Sequence, residues 1–326
     1  MTPGVHAVRM NTEELSPRYA DIDLWQPADI LDAMIEGQLA SVAAVRAARA
    51  QIEHAALAIE GRLRKQGRLV YVGAGTSGRL AVQDGAELMP TFSWPQERLL
   101  LLLAGGEAAM TQAIEGAEDD TERAAATIAE HDIGPDDVLI GVAASGSTPF
   151  TLTCLREAKR RGALTVGIAN NPGAPLLTDA EYPIFLATGP EPIAGSTRMN
   201  AGTAQRITLN LLSTLIMIRL GRIYRGMMVE VQACNAKLAK RRERMVGHLT
   251  GQSGEPVREA LDLARGSVKL AVLLLQGYDL AEAEAVLDRV DGRLRAALDH
   301  LAKMRAPSLD GTPSLDDTGE NTKRGS

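Results

Sequence analysis

Two turns rich in small and hydroxyl-bearing residues could bind a phosphate group. The first is Gly73-Ala-Gly-Thr-Ser-Gly78, and the second is Ala143-Ala-Ser-Gly-Ser-Thr148, which precedes Pro149. Each turn follows an apolar run and begins a helical pattern, and proline is favoured at the first helical position. Free N–H groups at a helix N-terminus, together with hydroxyl groups, suit a phosphate monoester. The hydroxyl groups available to such a ligand belong to Thr76, Ser77, Ser145, Ser147 and Thr148.

Two other interpretations of these turns remain open from the residues alone. The first turn matches G-x-G-x-x-G, the dinucleotide fingerprint, which also needs an acidic residue at the end of the second strand. Here the second apolar run leads into Ala104-Gly-Gly106, and Glu107 comes late for that role. Alternatively, the hydroxyl groups only cap helices. Either turn alone leaves capping open, whereas the pair favours a phosphosugar site.

Alternating strand and helix patterns position these turns. Five short apolar runs predict buried parallel strands, at residues 68–72, 99–103, 138–142, 164–168 and 182–186. Helical patterns lie between most of them, at residues 77–88, 107–130 and 149–161. This order predicts an α/β fold, a parallel sheet flanked by helices in a flavodoxin-like or Rossmann-like three-layer arrangement. Both turns are then expected at the carboxyl edge of the sheet, where open α/β sheets bind ligands.

The remainder of the chain is expected to be helical. A helical stretch begins at Pro27 with interruptions at Gly37 and Gly61, and long helices follow over residues 196–221 and 227–245. Further breaks near glycines predict three or four short helices after residue 255, the breaks being at Gly266, Gly277 and Gly292. We predict an N-terminal arm with helices, a phosphosugar-binding domain, a helical C-terminal region and a disordered tail, at residues 1–58, 59–222, 223–305 and 306–326.

The composition excludes several classes of protein. The 326 residues are 45% hydrophobic and 23% charged, which excludes disorder over most of the chain. The longest apolar runs, such as Leu99–Ala104, are far shorter than the roughly 20 residues that span a bilayer. Met1–Met10 contains no apolar signal-peptide core, and two cysteines cannot form a disulfide framework, so we expect a cytoplasmic protein. A net charge of −6 and few aromatic residues argue against nucleic-acid partners.

Five segments resemble the N-acetylmuramic acid 6-phosphate etherase family, which belongs to the SIS (sugar isomerase) domain proteins. They occur in the family's order between Thr12 and about Leu301, and they are Gly73-Ala-Gly-Thr-Ser-Gly-Arg-Leu80, Glu87-Leu-Met-Pro-Thr-Phe92, Ala104-Gly-Gly-Glu107, Glu115-Gly-Ala-Glu-Asp119 and Thr188-Gly-Pro-Glu-Pro-Ile-Ala-Gly-Ser-Thr-Arg-Met199. The glucokinase regulatory protein shares this signature but is far longer. The resemblance implies an SIS-type fold and a lyase that removes D-lactate from its phosphosugar during bacterial cell-wall recycling.

The resemblance also assigns two carboxyl groups to the chemistry. Breaking an ether needs a base for the proton next to a carbonyl group and an acid for the leaving oxygen. Neither a metal nor a nucleotide cofactor is required when the sugar is in its open aldehyde form. The resemblance maps the acid to Glu87 and the base to Glu118. The apolar neighbours of Glu87 are expected to keep its carboxyl group protonated, as a general acid requires.

Glu115 lies three residues before Glu118, so on a predicted helix the two carboxyl groups share one face. Glu118 is expected to be the catalytic one of the two, and Glu115 is expected to hold sugar hydroxyl groups. Without the resemblance, these residues read as a solvated acidic face.

The sequence departs from the family pattern at several positions. Ser147 stands where the etherases commonly carry Arg, Asn200 and Arg206 stand where Lys is usual, and Leu88-Met89 replaces Cys-Pro. These changes remove possible cationic contacts and affect the expected sugar preference more than the expected reaction.

Two alternatives to an etherase remain at this stage. One is a phosphosugar aldose–ketose isomerase, and the other is a non-catalytic phosphosugar sensor, although no basic helix-turn-helix region is evident. The apolar stripes on the N-terminal helices and on residues 196–245 predict a homodimer. The resemblance implies that the partner subunit contributes residues to each active site.

Overall fold

The computed structural model describes residues 11–231 and 236–305. Its main strands are β1 Leu69–Gly73, β2 Leu99–Leu103, β3 Val138–Val142, β4 Leu164–Ala169 and β5 Tyr182–Phe185. They form one parallel sheet in the order β2-β1-β3-β4-β5. All five predicted strands are confirmed to within one residue at either end. They were recognisable because strands buried on both faces read as continuous apolar runs.

Helices surround this sheet and continue beyond it. In chain order they are α1 Pro27–Ala47, α2 Arg49–Leu63, α3 Gly75–Ala86, α4 Leu88–Phe92, α5 Thr121–Glu130, α6 Pro149–Arg160, α7 Pro175–Asp179, α8 Asn200–Arg219, α9 Ala236–Thr250, α10 Glu255–Leu263, α11 Val268–Leu275, α12 Leu280–Arg289 and α13 Leu294–Arg305. No helix in the described part of the chain combines the length and the apolarity that crossing a bilayer requires.

The sheet is packed on both faces, which confirms the predicted three-layer α/β fold. Helices α2, α3 and α8 bury one face, and α5, α6 and α7 bury the other. From β1 the chain turns to β2 on one side and later to β3 on the other. The strand order therefore reverses between β1 and β3, where ligands bind in open α/β sheets. Helices α10 to α13 pack around a core of their own.

Two predicted helix interruptions in the N-terminal region are wrong. The boundary between α1 and α2 lies at Ala48, and Gly37 and Gly61 are inside the two helices. At Gly37 the reason is a close approach, since a Cβ atom there would lie 2.8 Å from Asn200 Oδ1. This glycine therefore permits α1 to pack against α8 and does not end a helix.

Two predicted helical stretches are also wrong in part. Residues 107–130 form a short 3-10 turn and further turns before α5 begins at Thr121. Residues 227–245 begin in a hairpin of β6 Ile223–Tyr224 and β7 Met227–Met228, well before α9. Its turn residues Arg225 and Gly226 have φ angles of +48° and +75°, the left-handed pair that a tight hairpin requires.

The four short C-terminal helices are confirmed, with breaks at the three predicted glycines. These glycines have φ angles of +82°, +97° and +70°, typical of residues that follow a helix, at Gly266, Gly277 and Gly292. The predicted disordered tail, residues 306–326, lies outside the described residues. The predicted domain boundaries stay predictions.

Candidate functional site

The two hydroxyl-rich turns leave neighbouring strands at the carboxyl edge of the sheet. Gly73 at the end of β1 is in register with Val142 at the end of β3. The first turn folds tightly, because a Cβ atom on Gly73 would lie 2.7 Å from the Gly78 Cα atom and 3.1 Å from the Val142 carbonyl oxygen. The structure therefore places both turns where the strand order reverses.

The second turn holds its hydroxyl groups in a small network. The Ser147 N–H donates to Ser145 Oγ at 3.2 Å, and Ser145 Oγ lies 3.4 Å from Thr148 Oγ1. Ser147 is exposed, whereas Ser145 and Thr148 are half-buried. Gly146 has a φ angle of +68°, and a Cβ atom there would lie 2.5 Å from the Ala174 Cβ atom. A glycine is therefore required beneath the hydroxyl groups.

The helix-capping alternative does not describe these residues. Thr148 is the N-cap residue of α6, but its side chain accepts no capping hydrogen bond. The N-cap residue of α3 is Ala74, so Thr76 and Ser77 lie inside the first turn of that helix. Their hydroxyl groups are therefore not needed to complete either helix end.

The N-terminus of α8 forms a third wall beside the first turn. A Cβ atom on Gly202 would lie 3.6 Å from Thr76 Cγ2. Asn200 and Ala201 lie in the first turn of α8, so their N–H groups have no acceptor inside the helix. Both groups donate to the Glu191 carboxylate, at 2.8 and 2.9 Å. Glu191 is 1% exposed; burial raises the pKa of its carboxyl group, and the two N–H groups oppose that rise. This helix end is therefore occupied by a carboxylate of the protein itself.

Glu118 is fixed beside the second turn by its main chain. Its carbonyl oxygen accepts a hydrogen bond from the Phe150 N–H at 2.9 Å, and Phe150 is two residues after Thr148. The side chain of Glu118 is exposed. The predicted helix through Glu115 and Glu118 is wrong, since both residues lie in turns, so the shared helical face does not exist.

Arg79 holds the segment that leads to these carboxylates. Its Nε donates to the Ala109 carbonyl oxygen at 2.8 Å, and its Nη2 donates to that of Gln112 at 2.9 Å. Sequence reasoning assigned no role to this residue, although Arg79 belongs to the motif that follows the first turn.

Glu87 lies at the opposite end of α3 from the first turn. It follows the last residue of α3, ten residues after Ser77, which corresponds to about 15 Å along the helix axis. Gly78 packs against Leu103 near the end of β2, whereas Gly85 packs against Leu101 at its middle, so the helix runs away from the carboxyl edge. The predicted apolar setting is wrong: Glu87 is exposed, and its neighbour Leu88 is the buried residue.

Two buried asparagines join the turns to the rest of this edge. Asn170 and Asn171 follow β4 and are 1% and 0% exposed. The Asn170 N–H and Asn171 Nδ2 both donate to the Ala144 carbonyl oxygen at 3.0 Å. Asn170 Oδ1 also accepts from Gln205 Nε2 of α8 at 2.9 Å. Sequence reasoning missed this pair, although two carboxamides directly after a buried strand were a usable signal.

Two family models match the part of the chain that contains the parallel sheet and both hydroxyl-rich turns. The glucokinase regulatory protein N-terminal SIS domain matches residues 51–159, and the SIS domain matches residues 111–215. Among solved structures, a phosphoheptose isomerase from Francisella tularensis is similar, with a TM-score of 0.46 and 20% identity. The match covers 60% of this chain and 100% of that one.

Curated relatives extend the likeness to most of the chain. An N-acetylmuramic acid 6-phosphate etherase of Deinococcus radiodurans is 51% identical over 288 residues, which cover 88% of this chain and 94% of that protein. One from Streptomyces avermitilis is 45% identical over 291 residues, covering 89% of this chain and 93% of its own length. As its sequence motifs predicted, this chain belongs to the N-acetylmuramic acid 6-phosphate etherase family.

Proposed function

We propose that this protein cleaves the lactyl ether of N-acetylmuramic acid 6-phosphate, yielding N-acetylglucosamine 6-phosphate and D-lactate. The observation that carries the proposal is the pair of uncapped hydroxyl turns at adjacent strand ends, in a chain 51% identical to an etherase. The reaction would serve cell-wall amino-sugar recycling in the cytoplasm, with a small phosphosugar as substrate and no nucleic-acid partner.

The phosphate group docks between the two turns. Its oxygens accept hydrogen bonds from the five hydroxyl groups and from N–H groups at the start of α3. The hydroxyl groups are those of Thr76, Ser77, Ser145, Ser147 and Thr148. Glu115 lies in the turn before Glu118 and contacts sugar hydroxyl groups.

The chemistry is an elimination followed by addition of water. The sugar ring opens to the aldehyde, which acidifies the proton on C2. Glu118 takes this proton and the C2–H electrons delocalise into the carbonyl group as an enolate; the enolate then forms the C2=C3 bond and expels the lactate oxygen from C3, while Glu87 protonates that oxygen. Water then adds across the C2=C3 bond of the unsaturated aldehyde: Glu87, now a carboxylate, takes a proton from the water, the hydroxyl group bonds to C3 in place of the lactyl ether, and Glu118 returns a proton to C2.

A second copy of the chain supplies the missing acid in this proposal. Glu87 of the same subunit is about 15 Å from Ser77 along α3, too far for one sugar to reach both groups. Exposed apolar side chains on α1, α2 and α8 offer a face for a homodimer, among them Leu31, Ile35, Leu39, Leu57 and Leu211. A cavity of about 630 Å³ lies between the same three helices.

Mixed dimers test the shared site. Glu87→Gln and Glu118→Gln chains are each expected to be inactive alone. If each site combines Glu118 of one copy with Glu87 of the other, co-expression restores one intact site in each mixed dimer, about a quarter of normal activity at random pairing. A mixture as inactive as its components contradicts the sharing, and sedimentation as a monomer at micromolar concentration contradicts the dimer.

Lactate release tests the function itself. The protein is incubated with N-acetylmuramic acid 6-phosphate, and free D-lactate is measured. Well-folded protein that releases no lactate contradicts the etherase. In that case, interconversion of an aldose and a ketose phosphate would identify an isomerase, and micromolar phosphosugar binding without turnover would identify a sensor.

A further inference from the structure

Thr12 is completely buried although it lies only two residues into the described chain. It is 0% exposed and belongs to a short 3-10 turn, Asn11–Glu13. Its N–H donates to Asn171 Oδ1 at 3.3 Å, its Oγ1 accepts from Asn171 Nδ2 at 3.0 Å, and its carbonyl oxygen accepts from the Gly195 N–H at 3.1 Å. Every polar group of this residue is therefore hydrogen-bonded to a segment at the carboxyl edge.

Asn171 connects Thr12 to the second hydroxyl-rich turn by hydrogen bonds. Its Nδ2 donates to Thr12 Oγ1 and also to the Ala144 carbonyl oxygen, at 3.0 Å in each case. Ala144 immediately precedes Ser145. Because Asn171 is 0% exposed, water cannot replace either acceptor, and Thr12 fixes the orientation of its carboxamide.

The hydrogen bond from Gly195 connects Thr12 to the segment that leads into the N-terminus of α8. It lies in the segment between β5 and α8, the segment in which Glu191 closes the N-terminus of α8. That helix end packs against Thr76 of the first turn through Gly202. Thr12 is therefore hydrogen-bonded to supports of both phosphate turns, although its own side chain is buried behind them.

We propose that Thr12 is a positioning residue for the phosphosugar site, an inference that rests on the proposed function. Thr12 contacts no substrate. It holds the carboxamide of Asn171, and Asn171 holds the main chain before Ser145 in the position that a phosphate group requires. Removing Thr12 Oγ1 leaves one buried N–H of Asn171 without its acceptor, so the carboxamide turns to find another partner and the second turn loosens.

Substitutions of nearly equal size test this role. Thr12→Val removes the hydroxyl group and keeps the buried shape, Thr12→Ser keeps the hydroxyl group, and Thr178→Val is a matched change at an exposed threonine of α7. For Thr12→Val we expect the KM of lactate release to rise about 5- to 20-fold with kcat within about 3-fold, because a buried unpaired donor weakens the ground-state site. Thr12→Ser is expected to restore most of the affinity, and Thr178→Val to leave KM unchanged.

The outcomes separate this inference from the function on which it rests. A Thr12→Val protein with a lowered Tm but a normal KM overturns the positioning role, because a purely structural contact would give that result. Absence of lactate release from the unmodified protein overturns the proposed function, and this inference with it.

Hydrogen exchange in the unmodified protein decides the matter if Thr12→Val does not fold. N-acetylglucosamine 6-phosphate is added, and amide exchange is followed along the chain. We expect the amides of Thr12 and Gly195 to slow together with those of residues 144–148, since one network connects them. Slower exchange at residues 144–148 with no change at Thr12 and Gly195 contradicts the proposal.

Discussion

The two edges of the central sheet differ in chemistry. At the amino edge, the residues just before the first three strands are charged: Arg68 precedes β1, Arg98 precedes β2 and Asp137 precedes β3. At the carboxyl edge, the residues that follow the strands are small, hydroxyl-bearing or carboxamide residues, such as Ser145 and Asn171. The charges at the amino edge are satisfied within the protein, whereas the hydroxyl groups of the two turns at the carboxyl edge complete no helix end.

The amino edge is built around a paired arginine and aspartate. Arg68 Nε and Nη2 donate to the two carboxylate oxygens of Asp137 at 3.0 and 2.7 Å. The same carboxylate accepts the N–H groups of Arg68 and Gly134, each at 3.0 Å. Arg98 donates to the carbonyl oxygens of Leu63 and Gly67 and lies 4.6 Å from the centre of the Trp94 ring. These groups close the ends of β1, β2 and β3.

We expect this difference to separate the residues that stabilise the fold from those that bind the ligand. The Asp137 carboxylate already accepts four hydrogen bonds within the protein, so we expect it to stabilise the fold and not to bind substrate. The hydroxyl groups at the opposite edge complete no helix end, so their loss is expected to affect ligand binding far more than folding. Substitutions at the amino edge should therefore change the free energy of unfolding, and substitutions at the carboxyl edge should change KM.

The largest stability effect is expected at the amino edge. Asp137→Asn removes the charge that pairs with Arg68 and is expected to lower the free energy of unfolding by about 2–3 kcal/mol, because the Arg68 side chain and two main-chain N–H groups lose a charged acceptor. The KM for the phosphosugar should be unchanged. Chemical denaturation and steady-state kinetics measure the two quantities.

Glu130→Gln is the control for that substitution. It breaks the pair with Arg123, in which both side chains are more than half exposed, and is expected to cost less than about 0.5 kcal/mol. Equal losses in the two variants would contradict the structural role of the Arg68–Asp137 pair.

The opposite pattern is expected from Ser145→Ala at the carboxyl edge. Loss of one hydroxyl group from the proposed phosphate site should raise KM about 10- to 150-fold, since hydrogen bonds to a charged group contribute about 1.5–3 kcal/mol. The Tm should stay near that of the unmodified protein. Ser253→Ala, in the exposed loop before α10, is the matched control. A Ser145→Ala protein with a lowered Tm and a normal KM would contradict the expected difference between the two edges.

The smallest expected effect is a pH dependence of stability. Burial opposes ionisation of Asp137, but hydrogen bonds from Arg68 and from the N–H groups of Gly134 and Arg68 outweigh it and lower the pKa of this carboxyl group. A lowered pKa in the folded state contributes stability above the unfolded value of about 3.9, and that stability is lost as the pH falls through the folded value.

Unfolding free energies measured from pH 7 to pH 3 provide the test. The difference between the unmodified protein and Asp137→Asn should be constant above about pH 5 and should shrink below about pH 4. A difference that grows towards acidic pH has the wrong sign for this account. Ser145→Ala should follow the unmodified protein throughout.

Local patterns predicted the sheet and the location of both hydroxyl-rich turns at the ends of its strands, because each depends on residues close together in the chain. The turns around Glu115 were missed, although Gly105, Gly106 and Gly116 all have positive φ angles that oppose a continuous helix. The setting of Glu87 was wrong because adjacent residues on a helix point in different directions, so apolar neighbours in sequence did not bury it.

Contacts between distant segments lay beyond any local pattern. Thr12 and Asn171 are separated by 159 residues, and Glu191 meets the N-terminus of α8 through main-chain N–H groups that any residue type provides. The resemblance to a family supplied the two carboxylates that we propose as catalytic, whereas the contacts of Thr12, Asn171 and Glu191 came only from the structure.

Exchange of the C2 proton tests most directly the claim that the carboxyl edge performs an elimination. Deuterium incorporation at C2 and D-lactate release are followed by NMR in Glu118→Gln and Glu87→Gln, with circular dichroism as the folding control. Glu118→Gln should lose both activities by about 10²- to 10⁴-fold, as expected when a general base is removed, while Glu87→Gln should stop lactate release and still exchange the C2 proton. A Glu118→Gln protein that exchanges this proton at the normal rate would contradict the account.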